Sequence, residues 1–377
     1  MDFRFDEKQE MLKKTARGFF EKECPKSLVR EAEAGELGYS KGLWSKMAEL
    51  GWLGLGIPVE YGGSGGDFVD LVALYEEIGR GLVPGPHFVS AIVCAQIILG
   101  CGSETQKKAL LPRIARGESV VALAMYEFDT GDTASAIELR ATRIKQGYLL
   151  EGTKLFVPYA NLCDHLVCVS RTRVGGGEGG ITLFLVDAKS PGISLAPLLT
   201  LAGDKQSEVT FAQVRVSNGD ILGPLHGGWL PLRQSLQKAN VLQCAEMVGA
   251  AQKALEMAVD YAKQRVQFGR PIGAFQAIQH KCAEMVTNLE AARYLTYEAA
   301  CSVRDGDTLT PQVAMAKVLA STACRRVTKE AHQIFAGAGL MAEHDLNFYY
   351  RRVKGIELNL GGVNHQVKEV AQHLGFL

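Results

Sequence analysis

Little in this composition is lopsided. Lys plus Arg and Asp plus Glu are equal, at 41 each, and there is no basic tract, so neither a nucleic-acid partner nor an anionic membrane surface is expected. No apolar run reaches the roughly 18 residues that span a bilayer. Residues 1–10, MDFRFDEKQE, are charged throughout and do not read as a secretory signal. The nine cysteines are odd in number and lack CxxC or Cys/His zinc spacing, which leaves no metal site to expect. They read as reduced, mostly buried thiols of a cytoplasmic protein. Internal repeats are absent, and low complexity is confined to one glycine tract at residues 175–180.

What remains is a chain of 377 residues, long enough for two or three domains. Residues 1–118 carry helical patterns. Phe5, Met11, Leu12, Ala16, Phe19 and Phe20 fall on one face, and Ser40 caps a helix through Trp44, Met47 and Leu50. A Tyr61-Gly62-Gly63 turn, a helix over residues 71–79 and an apolar helix over residues 88–99 behind Pro84-Gly85-Pro86 follow. Beyond Val120 the period becomes two. Strands are expected at residues 120–125, 138–144, 148–151, 154–157, 166–171, 181–187, 193–198 and 208–216, separated by Gly147, Gly152, the glycine tract and Gly192. Strands without intervening helices predict an antiparallel sheet. Residues 175–180 formally fit GxGxxG, but a strand follows them where a phosphate-binding loop needs a helix, so they read as a hairpin tip. From residue 227 the pattern is helical again. The expected fold is α+β: an N-terminal helical domain (1–118), a middle β-domain (119–226) and a C-terminal four-helix domain (227–377).

The most distinctive stretch is residues 261–285. A long helical pattern through Val241, Ala245, Val248, Leu255 and Ala262 is broken at Phe268-Gly269-Arg270-Pro271 and resumes near Phe275. An arginine and an aromatic at such a break suit a flat, phosphate-bearing ligand; the plainer reading is an αα-corner whose arginine caps the last carbonyls. The pattern Tyr261-x3-Arg265-x-Gln267-Phe268-Gly269-x2-Ile272-x2-Phe275-Gln276 resembles the acyl-CoA dehydrogenases, and the helix–strand–helix order extends that resemblance over nearly the whole chain.

The resemblance implies FAD, an acyl-CoA substrate, electron-transfer flavoprotein as electron acceptor, and a homo- or hetero-oligomer, a dimer of dimers, in which a neighbouring subunit helps to hold the cofactor. It places Arg265 and Phe268 at the FAD pyrophosphate. It matches Gln333 and Gly337 to a Gln-x2-Gly-Gly-x-Gly turn in which Ala336 replaces one glycine. Met125 and Tyr126 align with the segment beside the isoalloxazine ring, Phe156 and Pro158 with the segment on its other face, and Gly361 with a residue near the flavin. Tyr126 stands where Thr or Ser is usual. Pro158 has no N–H or hydroxyl to offer the ring.

Dehydrogenation next to a thioester needs a carboxylate within reach of the α-proton. The two positions that carry it in the family hold Leu360 and Ala239 here. Glu246, Glu357 and His87 are the substitutes the sequence offers, each with a plainer structural role. Three readings follow: an acyl-CoA dehydrogenase with a relocated base or working as one subunit of a heteromer, a non-catalytic FAD- or acyl-CoA-binding partner subunit, or an acyl-CoA elimination enzyme on the same fold.

Overall fold

Local capping chemistry starts the helices. Asp6, Asp67 and Ser103 each accept from the third helical N–H and receive a reciprocal bond, opening α1 (Glu7–Glu23), α4 (Phe68–Gly81) and α6 (Glu104–Ala115). Ser40 caps α3 (Lys41–Glu49), as its sequence predicts; α2 (Lys26–Ala34) and α5 (Ala95–Cys101) complete the N-terminal layer. The computed structural model describes residues 5–128, 131, 133–175, 177–306 and 311–376; Gly176 of the predicted hairpin tip lies outside them. The apolar helix expected at residues 88–99 is two pieces. His87–Cys94 is π-helical and runs straight into α5, and such wide turns mark places where a helix carries an inserted residue.

The middle of the chain forms an eight-stranded sheet in the order β6-β7-β3-β2-β4-β5-β8, with β1 added on β4. Its strands are β1 (Val121–Ala124), β2 (Arg140–Ile144), β3 (Gly147–Pro158), β4 (His165–Arg171), β5 (Ile181–Asp187), β6 (Ile193–Leu198), β7 (Gln206–Val216) and β8 (Ile221–Leu222). Two expectations are corrected. The sheet is mixed, because β1 and the start of β2 pair in parallel with β4. The strands expected at 148–151 and 154–157 are one strand, β3. Gly152, at φ 144°, lies within it, and the register against β7 slips between Leu150 and Gly152 and again between Lys154 and Val157. Those bulges keep the strand continuous while re-aiming its side chains. The glycine tract does join β4 to β5, as a hairpin tip should.

Four long helices build the C-terminal layer: α7 (Trp229–Gln264), α8 (Gln276–Arg304), α9 (Pro311–Phe335) and α10 (Leu346–Leu358), followed by α11 (Val363–His373). Between α7 and α8 the predicted break is a small hairpin of β9 (Val266–Gln267) and β10 (Arg270–Pro271). Phe268 and Gly269 turn it with φ 52° and 79°, the two positive values of a type I′ turn. Small residues set the layer spacing. A Cβ on Gly79 of α4 would lie 1.9 Å from the Glu246 carbonyl of α7, and one on Gly249 would lie 1.8 Å from the Glu76 carbonyl. The buried Lys317 amine ties α9 to its neighbours, donating to Gln243 Oε1 at 2.6 Å and to the Ile356 carbonyl at 2.9 Å. Among the described residues no helix is long and apolar enough to cross a membrane.

Candidate functional site

Two groups of predicted residues lie in two places. The first surrounds a cavity of about 190 Å³ between the sheet and the C-terminal helices. At the end of β1 the chain turns through Met125 and Tyr126, which line it. Tyr126 is fixed beside β3 by its carbonyl, which accepts from Leu155 N–H at 2.8 Å. Beneath them the buried Lys154 donates to the Met125 carbonyl at 2.9 Å and pairs with Glu127. The bulge at Lys154/Val157 lifts the next aromatic outward: Phe156 sits at φ 54° and is 52% exposed. Pro158 ends β3 opposite Gln206.

Across the cavity, α7 presents Trp229, Arg233, Leu236, Gln237 and Asn240 at three- and four-residue steps, and α11 presents His365, Gln366 and Glu369. Leu360 lies between these helices in a left-handed conformation, φ 55°. Its carbonyl accepts from Asn240 Nδ2 at 3.1 Å and from Gln366 Nε2 at 3.4 Å, and the Gly361 carbonyl accepts from Gln366 Nε2 at 3.3 Å. Gly361 follows at φ 90°, and a Cβ there would come within 2.7 Å of the His365 ring, so this turn requires glycine. Arg233 donates to Glu369 at 2.6 Å, with His365 on the carboxylate's other side at 3.9 Å. The sequence reading passed over Trp229, Arg233, Gln237, His365, Gln366 and Glu369. The signal available was their common helical face on α7 and α11, which gains meaning only once the sheet closes over it.

Along residues 133–135 the cavity adjoins a wider groove of about 750 Å³ between β2 and the β4–β5 hairpin, lined by Glu138, Arg140, Arg143, Arg171 and Arg173. Arg171 donates to the Ile137 carbonyl at 2.7 Å. The Arg140, Arg143 and Arg173 side chains make no hydrogen bond or ion pair among the described residues.

The second group lies on an open surface. Tyr261 of α7 stacks on Phe335 of α9, centroids 4.2 Å apart at 22°, which sets the two helix ends side by side. Arg265 and Gln333 are exposed there, Phe268 is 91% exposed, and nothing lies within 4 Å of a Cβ placed on Gly337. Among the described residues the Arg265 guanidinium has no partner; the arginine that stacks on an aromatic is Arg270, 4.2 Å above Phe275. Ala336 holds φ 53°, the conformation for which a glycine suits this turn.

None of the three substitute bases lines the cavity. His87 is buried, with Nε2 donating to the Val83 carbonyl at 3.2 Å and Nδ1 accepting from the Tyr75 hydroxyl at 3.3 Å. Burial, reinforced by the charge of Arg352, lowers its pKa to about 4, so it is neutral. Glu246 is buried 3.8 Å from Arg352, and burial raises its pKa against that attraction. Glu357 is held by Arg325 at 2.9 Å and Lys354 at 3.2 Å. Ala239 is fully buried within α7.

Known proteins share this fold. Three domain profiles match in order: "Acyl-CoA dehydrogenase, N-terminal domain" over residues 6–118, "middle domain" over 122–214 and "C-terminal domain" over 226–375. The chain belongs to the acyl-CoA dehydrogenase family. It is 33% identical over 375 residues to the 3-(aryl)acrylate reductase of Clostridium sporogenes, covering 98% of this chain and 99% of that one. It is 34% identical over 353 residues to the caffeyl-CoA reductase–Etf complex subunit CarC of Acetobacterium woodii, covering 92% and 93%. The solved butyryl-CoA dehydrogenase of Megasphaera elsdenii superposes with a TM-score of 0.92 at 30% identity over 99% of this chain and 100% of that one. As a member of this acyl-CoA dehydrogenase family the chain is a flavoprotein oxidoreductase with FAD as cofactor, acting on the CH–CH bond of an acyl-CoA. Its own residues suit that cofactor. Phe156 is raised on a bulge where a flat ring can rest, and the unpaired Arg265 beside the bare Gly337 surface suits a pyrophosphate. These two groups of residues lie on different surfaces of one chain.

Proposed function

We propose that this chain is one subunit of a heteromeric, FAD-dependent acyl-CoA dehydrogenase, and that the carboxylate removing the α-proton belongs to a partner chain. The observation carrying this reading is the cavity wall at Leu360, where the side chain is an isobutyl group and the backbone is locked by Asn240 and Gln366. FAD, when bound, supplies the hydride acceptor. The protein's part is to hold and orient. Arg265, Gln333 and the open backbone at Gly337 would grip phosphate, Phe268 would cover the nucleotide, and Met125, Tyr126 and Phe156 would bound the ring. Val266, Phe268, Leu340 and Met341 expose apolar surface around Arg265 and Gly337, which supports burial of this face by a second subunit. Electron-transfer flavoprotein is the electron acceptor that best suits the reading, since a 34%-identical relative is a subunit of an Etf complex.

The purified chain, alone and co-expressed with a carboxylate-bearing paralogue, is titrated anaerobically with acyl-CoA. Flavin reduction is expected only with the paralogue; full reduction by the chain alone overturns the heteromer. A second reading has one observation in its favour, the carboxylate of Glu369 within the cavity. Glu369→Gln then abolishes reduction by the isolated chain, whereas under the first reading the partnered complex retains it.

A further inference from the structure

Among the described residues, buried side-chain oxygens without a hydrogen-bond partner gather in this cavity. Gln237 Oε1, Asn240 Oδ1 and Gln366 Oε1 are all unpartnered, in residues that are 7%, 2% and 1% exposed and all line it. The orientation of two of the amides is fixed. Asn240 Nδ2 and Gln366 Nε2 donate to the Leu360 and Gly361 carbonyls, and flipping either amide would set oxygen against oxygen. Acceptors are therefore left over where burial makes an unmet acceptor costly. Of the charges on the helical wall, Arg233 is matched with Glu369, while Glu178 stands exposed at the rim, away from the buried acceptors. Met125, Leu236 and Leu360 supply apolar surface between the acceptors.

We infer that the acyl part bound here carries a hydroxyl group close to the thioester, and that Gln237, Asn240 and Gln366 select it by accepting its hydrogen bond. This rests on the reading of the cavity as an acyl-CoA site and narrows the substrate class within it. A plain alkyl chain would leave the three oxygens unpaired, which is how a polar site rejects an analogue lacking the hydroxyl. A hydroxyl has one proton to donate, so it satisfies one of these oxygens at a time, and it does so without bringing in a charge.

The test uses the flavin-loaded protein, with its partner where flavin requires one, and measures dissociation constants for butyryl-CoA, 2-hydroxybutyryl-CoA and 3-hydroxybutyryl-CoA by calorimetry. One hydroxy ester is expected to bind about tenfold or more tightly than butyryl-CoA. Gln237→Met removes an amide that makes no hydrogen bond among the described residues, and Gln366→Met removes a second acceptor. Each is expected to cut the preference, and the double variant to cut it further, to what Asn240 alone supports, while butyryl-CoA still binds. Equal affinities in the unsubstituted protein, or a preference undiminished in the double variant, overturn the hydroxyl assignment and leave the acyl-CoA reading standing. Failure of all three esters to bind to protein that retains flavin overturns both.

Discussion

Single residues carry much of what is distinctive here, and several are held in costly conformations. Phe156, Phe268, Ala336 and Leu360 all have positive φ, a region that disfavours residues with a Cβ, and each lies at a position where the family resemblance places the flavin or the base. Backbone strain of this kind persists where surrounding structure over-determines it. His87 shows a different burden, a buried imidazole kept neutral by burial and by Arg352. Its folded pKa, about 4, lies below the roughly 6.5 of an unfolded histidine. Between those values the unfolded chain binds the extra proton, so stability is complete above pH 6.5 and is lost as pH falls towards 4. Glu246, with a raised pKa, acts with the opposite sign, so a comparison with His87→Gln isolates the histidine. Unfolding in urea at pH 7 and pH 5 is expected to show the parent losing about 2 kcal/mol more than His87→Gln over that interval. Parallel losses in the two proteins would remove His87 from the pH response.

At the scale of elements, the α4–α7 crossing depends on two glycines that pack against each other's carbonyl-bearing turns. The obstacle at Gly249 is backbone, which cannot rotate away, so Gly249→Ala must push the helices apart. A loss of about 3 kcal/mol is expected, read as a lower denaturation midpoint at unchanged m-value; Gly337→Ala, facing open space, is the control expected to change stability little. The sequence could not announce Gly249, because glycine inside an alanine-rich helix looks like a weak helix former until the opposing carbonyl is in view. The same limit explains the strand errors. Gly152 followed by a second short apolar run has the signature of a turn between two strands, and only pairing with β7 shows a bulged single strand. Parallel pairing of β1 with β4 is likewise set by partners far away in sequence. By contrast, Ser40, the break at Phe268-Gly269 and the hairpin tip before β5 were legible, since capping, turn chemistry and period change are local.

For the whole molecule, legibility divides along the two surfaces. Arg265, Phe268, Gln333 and Gly337 belong to short, distinctive motifs and could be named from sequence. The wall formed by Trp229, Arg233, Gln237, His365, Gln366 and Glu369 is a helical face completed by the sheet, and nothing along the chain separates it from an ordinary buried or solvated face. The separation of the surfaces also determines what the motif can do. Arg265 has no side-chain partner among the described residues and stands on an exposed corner outside the cavity lined by Tyr126 and Leu360, so under the proposed function it serves binding across a subunit boundary and not this chain's own cavity. If Arg265 grips the FAD phosphate as proposed, Arg265→Ala removes a forked, charge-assisted contact, about 2 kcal/mol, and is expected to raise the FAD dissociation constant about thirtyfold while leaving the fold and acyl-CoA binding in the cavity intact. Flavin fluorescence on dilution of the assembled protein measures the first, and calorimetry with the acyl-CoA measures the second. If flavin retention is unchanged, Arg265 does not grip the pyrophosphate. If acyl-CoA affinity falls in step with flavin, the two surfaces act on one ligand site, and the separation drawn from their geometry does not hold.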